Sequence, residues 1–161
     1  MKKLALAGLV LATTAFASGT PAAAATSTTT MSVTATVQAT CSVSAATLAF
    51  GTYTGTQLDG SSTLSVSCTN TTPYTVALNV GTGTGATVAV RKMTASATTL
   101  NYSLYQDSAR GTVWGQTTGT DTVAGTGNGS AQTLNVYGRI PSGQLPTPGS
   151  YSDTITATIT Y

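Results

Sequence analysis

The chain has 161 residues, only 6% of them charged, with a formal net charge of +2 and no histidine. Its four acidic residues are all aspartates (Asp59, Asp107, Asp121 and Asp153), so glutamate is absent too. Ser-His-Asp and Cys-His nucleophile systems are therefore excluded, and so sparse a charge leaves no electrostatic footprint for nucleic acid or anionic lipid.

At the N-terminus, "MKK" is a basic n-region, "LALAGLVLATTAFA" an apolar h-region and "PAAAAT" a run of small residues suited to cleavage. This is the pattern of a secretory signal peptide, too short and wrongly flanked for a membrane span. Cleavage is expected after Ala25, with Ala17 as a second candidate, giving an exported chain with no helical anchor. Removal of Lys2 and Lys3 leaves Arg91, Lys92, Arg110 and Arg139 against the four aspartates, a formal net charge of zero. Residues 26–161 suit one domain with a modest core.

Next comes "MSVTATVQATCSV" (31–43), with Met31, Val33, Ala35, Val37, Ala39, Cys41 and Val43 on one parity and Ser, Thr and Gln on the other. That is the period of a half-buried strand. The same alternation recurs in "TLSVSC" (63–68) and "YTVALNV" (74–80). Shorter strand candidates are 87–93, 100–106, 112–115 and 133–140. Clusters such as "GTYTGTQLDGSS", "DSARG" and "PSGQLPTPGS" read as turns, and the Gly-rich stretch 115–129 as a flexible hairpin loop without the Lys and helix of a phosphate loop. No window has a helical period, so the fold expected is all-β, a sandwich or a barrel. Residues 149–161, "GSYSDTITATITY", form a final alternating strand (Ile155, Ala157, Ile159 and Tyr161 on one face) with no returning partner. A sheet edge of that kind is normally covered.

Chemistry-bearing residues are few. Cys41 and Cys68, an even pair in an exported protein, are expected to be oxidised, and closing that loop is worth about 3.5 kcal/mol in the chain-entropy model. Two Cys without His cannot supply a zinc site. Asp59, Asp107 and Asp121 sit in turn-like contexts, and Lys92, beside Arg91 near a strand end, reads as a solvated charge. Sequons at Asn70, Asn101 and Asn128 carry little weight in so Thr/Ser/Asn-rich a chain. The chain is expected not to be an enzyme and to hold no cofactor, metal or catalytic residue.

The segments together resemble the spore coat protein U domain family, which includes major subunits of archaic (Csu-type) chaperone–usher pili. The resemblance rests on Cys41 followed by "LAFGTY" (48–53), then "VSCTN" (66–70), "PYTVALNVG" (73–81), "RKM" (91–93), "LNYSLYQD" (100–107), "VWG" (113–115) and "VYGRIPSGQLPTPGSYSDTITATITY" (136–161). It implies an incomplete immunoglobulin-like β-sandwich that lacks its final strand, with a disulfide tying the first two strands. It further implies completion by donor-strand exchange: a periplasmic chaperone lends a strand during export, an outer-membrane usher assembles the fibre, and the next subunit's N-terminal segment replaces the chaperone strand.

The expected organisation is a signal peptide at 1–25, a donor strand at 26–40 (Met31, Val33, Ala35, Val37 and Ala39) and a pilin domain at 41–161. The expected role is that of a rod-building homopolymer subunit of a cell-surface pilus in adhesion and biofilm formation. Two rival readings remain. One is a free-standing secreted coat or sugar-binding β-domain. The other is a small outer-membrane β-barrel, which the mostly Thr and Ser face and the lone Trp114 disfavour.

Overall fold

The computed structural model describes residue 19 and residues 21–161. The expected signal peptide lies for the most part outside the described residues. The chain divides between Thr36 and Val37. Residues 21–36 have no regular secondary structure and are exposed throughout.

Residues from Val37 onward build two antiparallel sheets around one core. In chain order the strands are β1 (Cys41–Ala45), β2 (Leu58–Cys68), β3 (Pro73–Leu78), β4 (Arg91–Ala95), β5 (Thr98–Tyr105), β6 (Val123–Thr126), β7 (Ala131–Ile140) and β8 (Ala157–Thr160). One sheet has the order β1-β2-β7-β5-β4 and the other β6-β3-β8. The fold is an open all-β sandwich of the immunoglobulin-like kind that lacks a closing strand. Two separate open sheets rule out the closed barrel.

Parity explains which side chains enter the core. Leu64, Val66 and Cys68 of β2 face Tyr74, Val76 and Leu78 of β3, joined by Leu100, Tyr102 and Leu104 of β5 and Val136 and Ile140 of β7. Serines and threonines on the opposite parity stay wet, as β-branched and hydroxylated residues do on a one-sided sheet. Trp114 is fully buried in the middle, its Nε1 donating to the Val76 carbonyl at 2.9 Å. Cys41 and Cys68 are disulfide-bonded register partners at the end of the β1–β2 pair.

Several elements differ from the sequence expectation. β2 starts at Leu58, inside a stretch that reads as turn, because Asp59 pairs with Arg139 and Gly60 with Gly138 across β7. Asp59 is accordingly a strand residue, bridged to Arg139 at 2.7 Å and Arg110 at 3.3 Å. The Gly-rich stretch 115–129 contains β6 rather than only a loop. Gly125 in that strand serves close packing: a Cβ on it would lie 2.5 Å from the Tyr74 ring. Residues 112–115 supply only an isolated bridge, Tyr105 to Val113. Residues 87–90 form a turn, with the Thr87 amide donating to Val90 O at 2.9 Å, so β4 begins at Arg91.

Arg91 is fully buried, on the parity of Met93 rather than of Lys92. Its guanidinium donates to the carbonyls of Asn79 (2.9 Å), Val88 (2.9 Å), Leu78 (3.1 Å) and Trp114 (2.7 Å). Leu78 and Asn79 lie in the chain where β3 ends, Val88 in the turn before β4 and Trp114 after β5, and leaving buried acceptors unpaired is costly. Burial pulls the Arg91 guanidinium below its ordinary value, opposed by Tyr102, Asp153 and Asp121. Lys92, by contrast, reaches the Thr84 carbonyl at 3.3 Å in an exposed setting.

Candidate functional site: an uncovered groove between residues 45–55 and 144–157

β1 and β8 are edge strands of their respective sheets, each hydrogen-bonded on one side only. Beyond β1 the chain continues through residues 46–55 without joining a sheet, and before β8 residues 144–156 touch one only through the isolated bridge of Ser152 to Thr94 of β4. These two segments form the walls of a groove. Between residues 45–48 and 153–157 it encloses about 360 Å³, over a floor that includes Leu64, Leu78, Met93, Tyr102, Leu104 and Val136. It continues between residues 48–55 and 144–151 as a wider cleft of about 750 Å³, over Met93, Leu100 and Ile140. The floor is thus the hydrophobic core itself, with part of its covering absent.

The walls are held apart by specific contacts. Leu48 and Phe50 point inward from the first wall, and the pair Gly60 and Gly138 makes room for them. A Cβ on Gly138 would come within 2.6 Å of the Phe50 ring. Phe50 meets Tyr102 edge-on, with ring centroids 6.0 Å apart, a favourable aromatic geometry. Ser62 donates to the carbonyls of Ala46 (2.8 Å) and Thr47 (3.1 Å), fixing the rim. At the far end the walls are strapped together: Tyr53 donates to Pro141 O at 2.8 Å, Gln144 N donates to Tyr53 at 3.1 Å, and Gly143 N to Gly55 O at 2.9 Å.

On the second wall the odd residues face inward. Ile155, Ala157 and Ile159 are half-buried against the core, whereas Tyr161 is 57% exposed. Only Ala157–Thr160 pair with β3, leaving Ile155 and Tyr161 just outside the strand. Asp153 shares the inward parity and explains part of this break. It accepts hydrogen bonds from Thr82 N (2.7 Å), Thr82 Oγ1 (2.8 Å) and Tyr102 (2.7 Å), anchoring the wall to the 81–85 loop and to β5. Burial, with that hydrogen bond to Asp153, pushes the Tyr102 phenol far above its ordinary value.

Met31, Val33 and Ala35 lie before the Thr36–Val37 division, and Val37 and Ala39 after it. All five are exposed and outside any strand, with Met31 at 84%, Val33 at 82% and Val37 at 89%. Pairing begins only at Cys41, where β1 meets β2. The floor residues Met93 and Tyr102 and the wall residues Leu48 and Phe50 are not singled out by sequence reasoning as a site. The signal that could have found them is the alternation of Leu48 and Phe50 in "LAFG", read together with the two strand glycines that receive them.

Comparison with known proteins places this architecture. The family model for the Spore Coat Protein U domain matches residues 27–158. Protein U of Myxococcus xanthus is 39% identical over 129 residues, covering 71% of this chain and 72% of that protein. A likeness of fold extends to a chain in the crystal structure of the CsuC–CsuE chaperone–tip adhesion subunit pre-assembly complex, from archaic chaperone–usher Csu pili of Acinetobacter baumannii. It has a TM-score of 0.56 at 24% identity and covers 78% of this chain and 40% of that one. With the disulfide, the open sandwich and a match over nearly the whole chain beyond the expected leader, this protein belongs to the Spore Coat Protein U domain family.

Proposed function

We propose that this chain is a structural pilin subunit that polymerises by donor-strand complementation into a cell-surface pilus. The observation that carries the proposal is the groove, a strip of core with part of its covering absent, in a chain whose exposed residues 31–39 alternate with strand period. Residues 31–39 span about 27 Å at strand rise. Burying Met31, Val33 and Val37 there stabilises by about 1.5–3 kcal/mol each, and backbone hydrogen bonds to the groove walls add about 1 kcal/mol apiece. Head-to-tail insertion does not close on itself and so builds a filament.

In this reading residues 1–25 direct export, 26–40 are the donor and 41–161 the acceptor domain. A periplasmic chaperone covers the groove until an outer-membrane usher exchanges its strand for the next subunit's. The name of the Acinetobacter complex, a chaperone bound to a pilus subunit, supports this by analogy of fold. Deleting residues 26–40 tests it in cells that carry the assembly machinery. The truncated chain should still co-purify with its chaperone and form no surface fibres. Fibres of normal abundance from the truncated chain would contradict the proposal, as would a stable secreted monomer of the full chain, the outcome expected of a free-standing coat domain.

A further inference from the structure

Asn128 is the one asparagine of the chain that precedes a glycine; Asn70, Asn79, Asn101 and Asn135 precede Thr, Val, Tyr and Val. An asparagine side chain can be attacked by the backbone nitrogen of the next residue, and glycine, with no Cβ, hinders that approach least. The pair Asn128–Gly129 lies exposed in the connection between β6 and β7. We infer that it is a deamidation site closed by folding, so that Asn128 is converted only in chains whose 127–130 loop has left the corner at the end of β2.

Both reacting groups are held in the folded chain. The Gly129 N–H, whose proton must be given up before the nitrogen attacks, donates to Cys68 O at 3.1 Å. The Asn128 side chain is fixed as well, its Oδ1 accepting from Ser130 N at 2.9 Å. The loop around them is docked on the same corner. Gly127 N donates to Thr72 O at 2.7 Å, and Thr71 N donates to Gly127 O at 2.8 Å. Gly127 is buried so closely that a Cβ there would collide with Thr69 O and the Cys68 Cβ. Cys68 is in turn tied to β1 through Cys41. Reaction requires these contacts to open, and its rate follows the population of the open loop.

In the open loop the Gly129 nitrogen bonds to Asn128 Cγ, the Cγ–Nδ2 bond breaks, and ammonia leaves with the proton given up by Gly129. Water then opens the cyclic imide at one of its two carbonyls, giving aspartate or isoaspartate. Either product adds a negative charge to residues 26–161, which are formally neutral. Aspartate keeps an oxygen for Ser130 N. Isoaspartate lengthens the backbone by one carbon between Gly127 and Gly129, so their amides no longer meet Thr72 O and Cys68 O together. The change is irreversible and marks chains that lingered with this corner unformed.

The test compares the exported chain, recovered with its disulfide intact from cells that carry the assembly machinery, with the same chain unfolded in guanidinium and its thiols reduced. Both are held at one neutral pH and temperature, and peptide mapping reads conversion at every asparagine, with aspartate and isoaspartate separated. The unfolded chain should convert Asn128 ahead of the other four, and the native chain should convert it at least about ten-fold more slowly. Gly127→Ala, which lifts the loop without altering the reacting pair, should raise the native rate toward the unfolded one while the Val136 amide keeps its exchange protection. Equal rates at Asn128 in native and unfolded chains would overturn the inference. So would earlier conversion of another asparagine, or a folded Gly127→Ala chain that reacts no faster than its parent. A glycan on Asn128 would overturn it as well, since a substituted Nδ2 does not leave as ammonia. Should Gly127→Ala not fold, the comparison of native with unfolded chain decides alone.

Discussion

Val33→Asp is the substitution that separates strand period from composition. Val33 is 82% exposed in the isolated chain, so the change should cost that chain within about 0.5 kcal/mol. Once inserted, Val33 faces a floor that includes Leu64, Leu78, Met93 and Leu104, and the charged side chain among the wall residues, Asp153, has the same sign. The variant forfeits about 1.5–3 kcal/mol of apolar burial and adds several kcal/mol for an unpaired carboxylate in a dry groove. A combined loss of about 5 kcal/mol weakens insertion by more than about a thousand-fold. Thr34→Asp, on the outward parity, should be far milder. The assay is the ladder of denaturation-resistant multimers on unboiled gels, alongside co-purification with the chaperone, which both variants should retain. A normal ladder from Val33→Asp, or equal damage from Thr34→Asp, would refute the alternating insert.

Four further outcomes follow from the fold. Replacing Cys41 and Cys68 together by Ser should lower stability by about 3.5 kcal/mol, read as a lower melting temperature of the refolded chain. Arg91→Met leaves the carbonyls of Leu78, Asn79, Val88 and Trp114 short of donors, and at about 1–3 kcal/mol per orphaned group it should prevent accumulation of folded protein; normal yield and melting would contradict the role assigned to it. Gly138→Ala should displace the Phe50 ring at a cost of about 1–3 kcal/mol, and Phe50→Ala in the same chain should relieve the clash, as a double-mutant cycle would show. Asp59, held below the usual carboxylate value by its hydrogen bond to Arg139 and by nearby Arg110, contributes stability that is present above about pH 4 and is lost as pH falls through its folded-state pKa. Asp59→Asn should therefore flatten the acid limb of the stability profile, most visibly at low salt.

Strand parity was readable wherever one face is wet. Cys41 and Val43, Leu64 to Cys68, Tyr74 to Leu78 and Ile155 to Ile159 all turn inward on the side that alternation predicts. What could not be read locally depends on partners distant in the chain. Asp59 and Gly60 look like turn residues until Arg139 and Gly138 are set opposite them. β6 is hidden because its one glycine, Gly125, admits the Tyr74 ring, and glycine by itself reads as flexibility. The adjacent cations Arg91 and Lys92 have the same charge, and only the shared parity with Met93 tells which one is buried. The groove was anticipated through family resemblance and an uncovered terminal strand, whereas its floor and the strap at Tyr53 and Gln144 emerge only when the two walls come together.

The measurement closest to the central claim is a side-chain-resolution structure of fibres sheared from the cell surface. The account predicts a strand lying in the groove between residues 45–55 and 144–157 of each subunit, traced to residues 31–39 of its neighbour, with Val33 and Val37 over the core and Thr34 and Thr36 toward solvent. A groove that is empty in the fibre, or filled by any other segment, would contradict it.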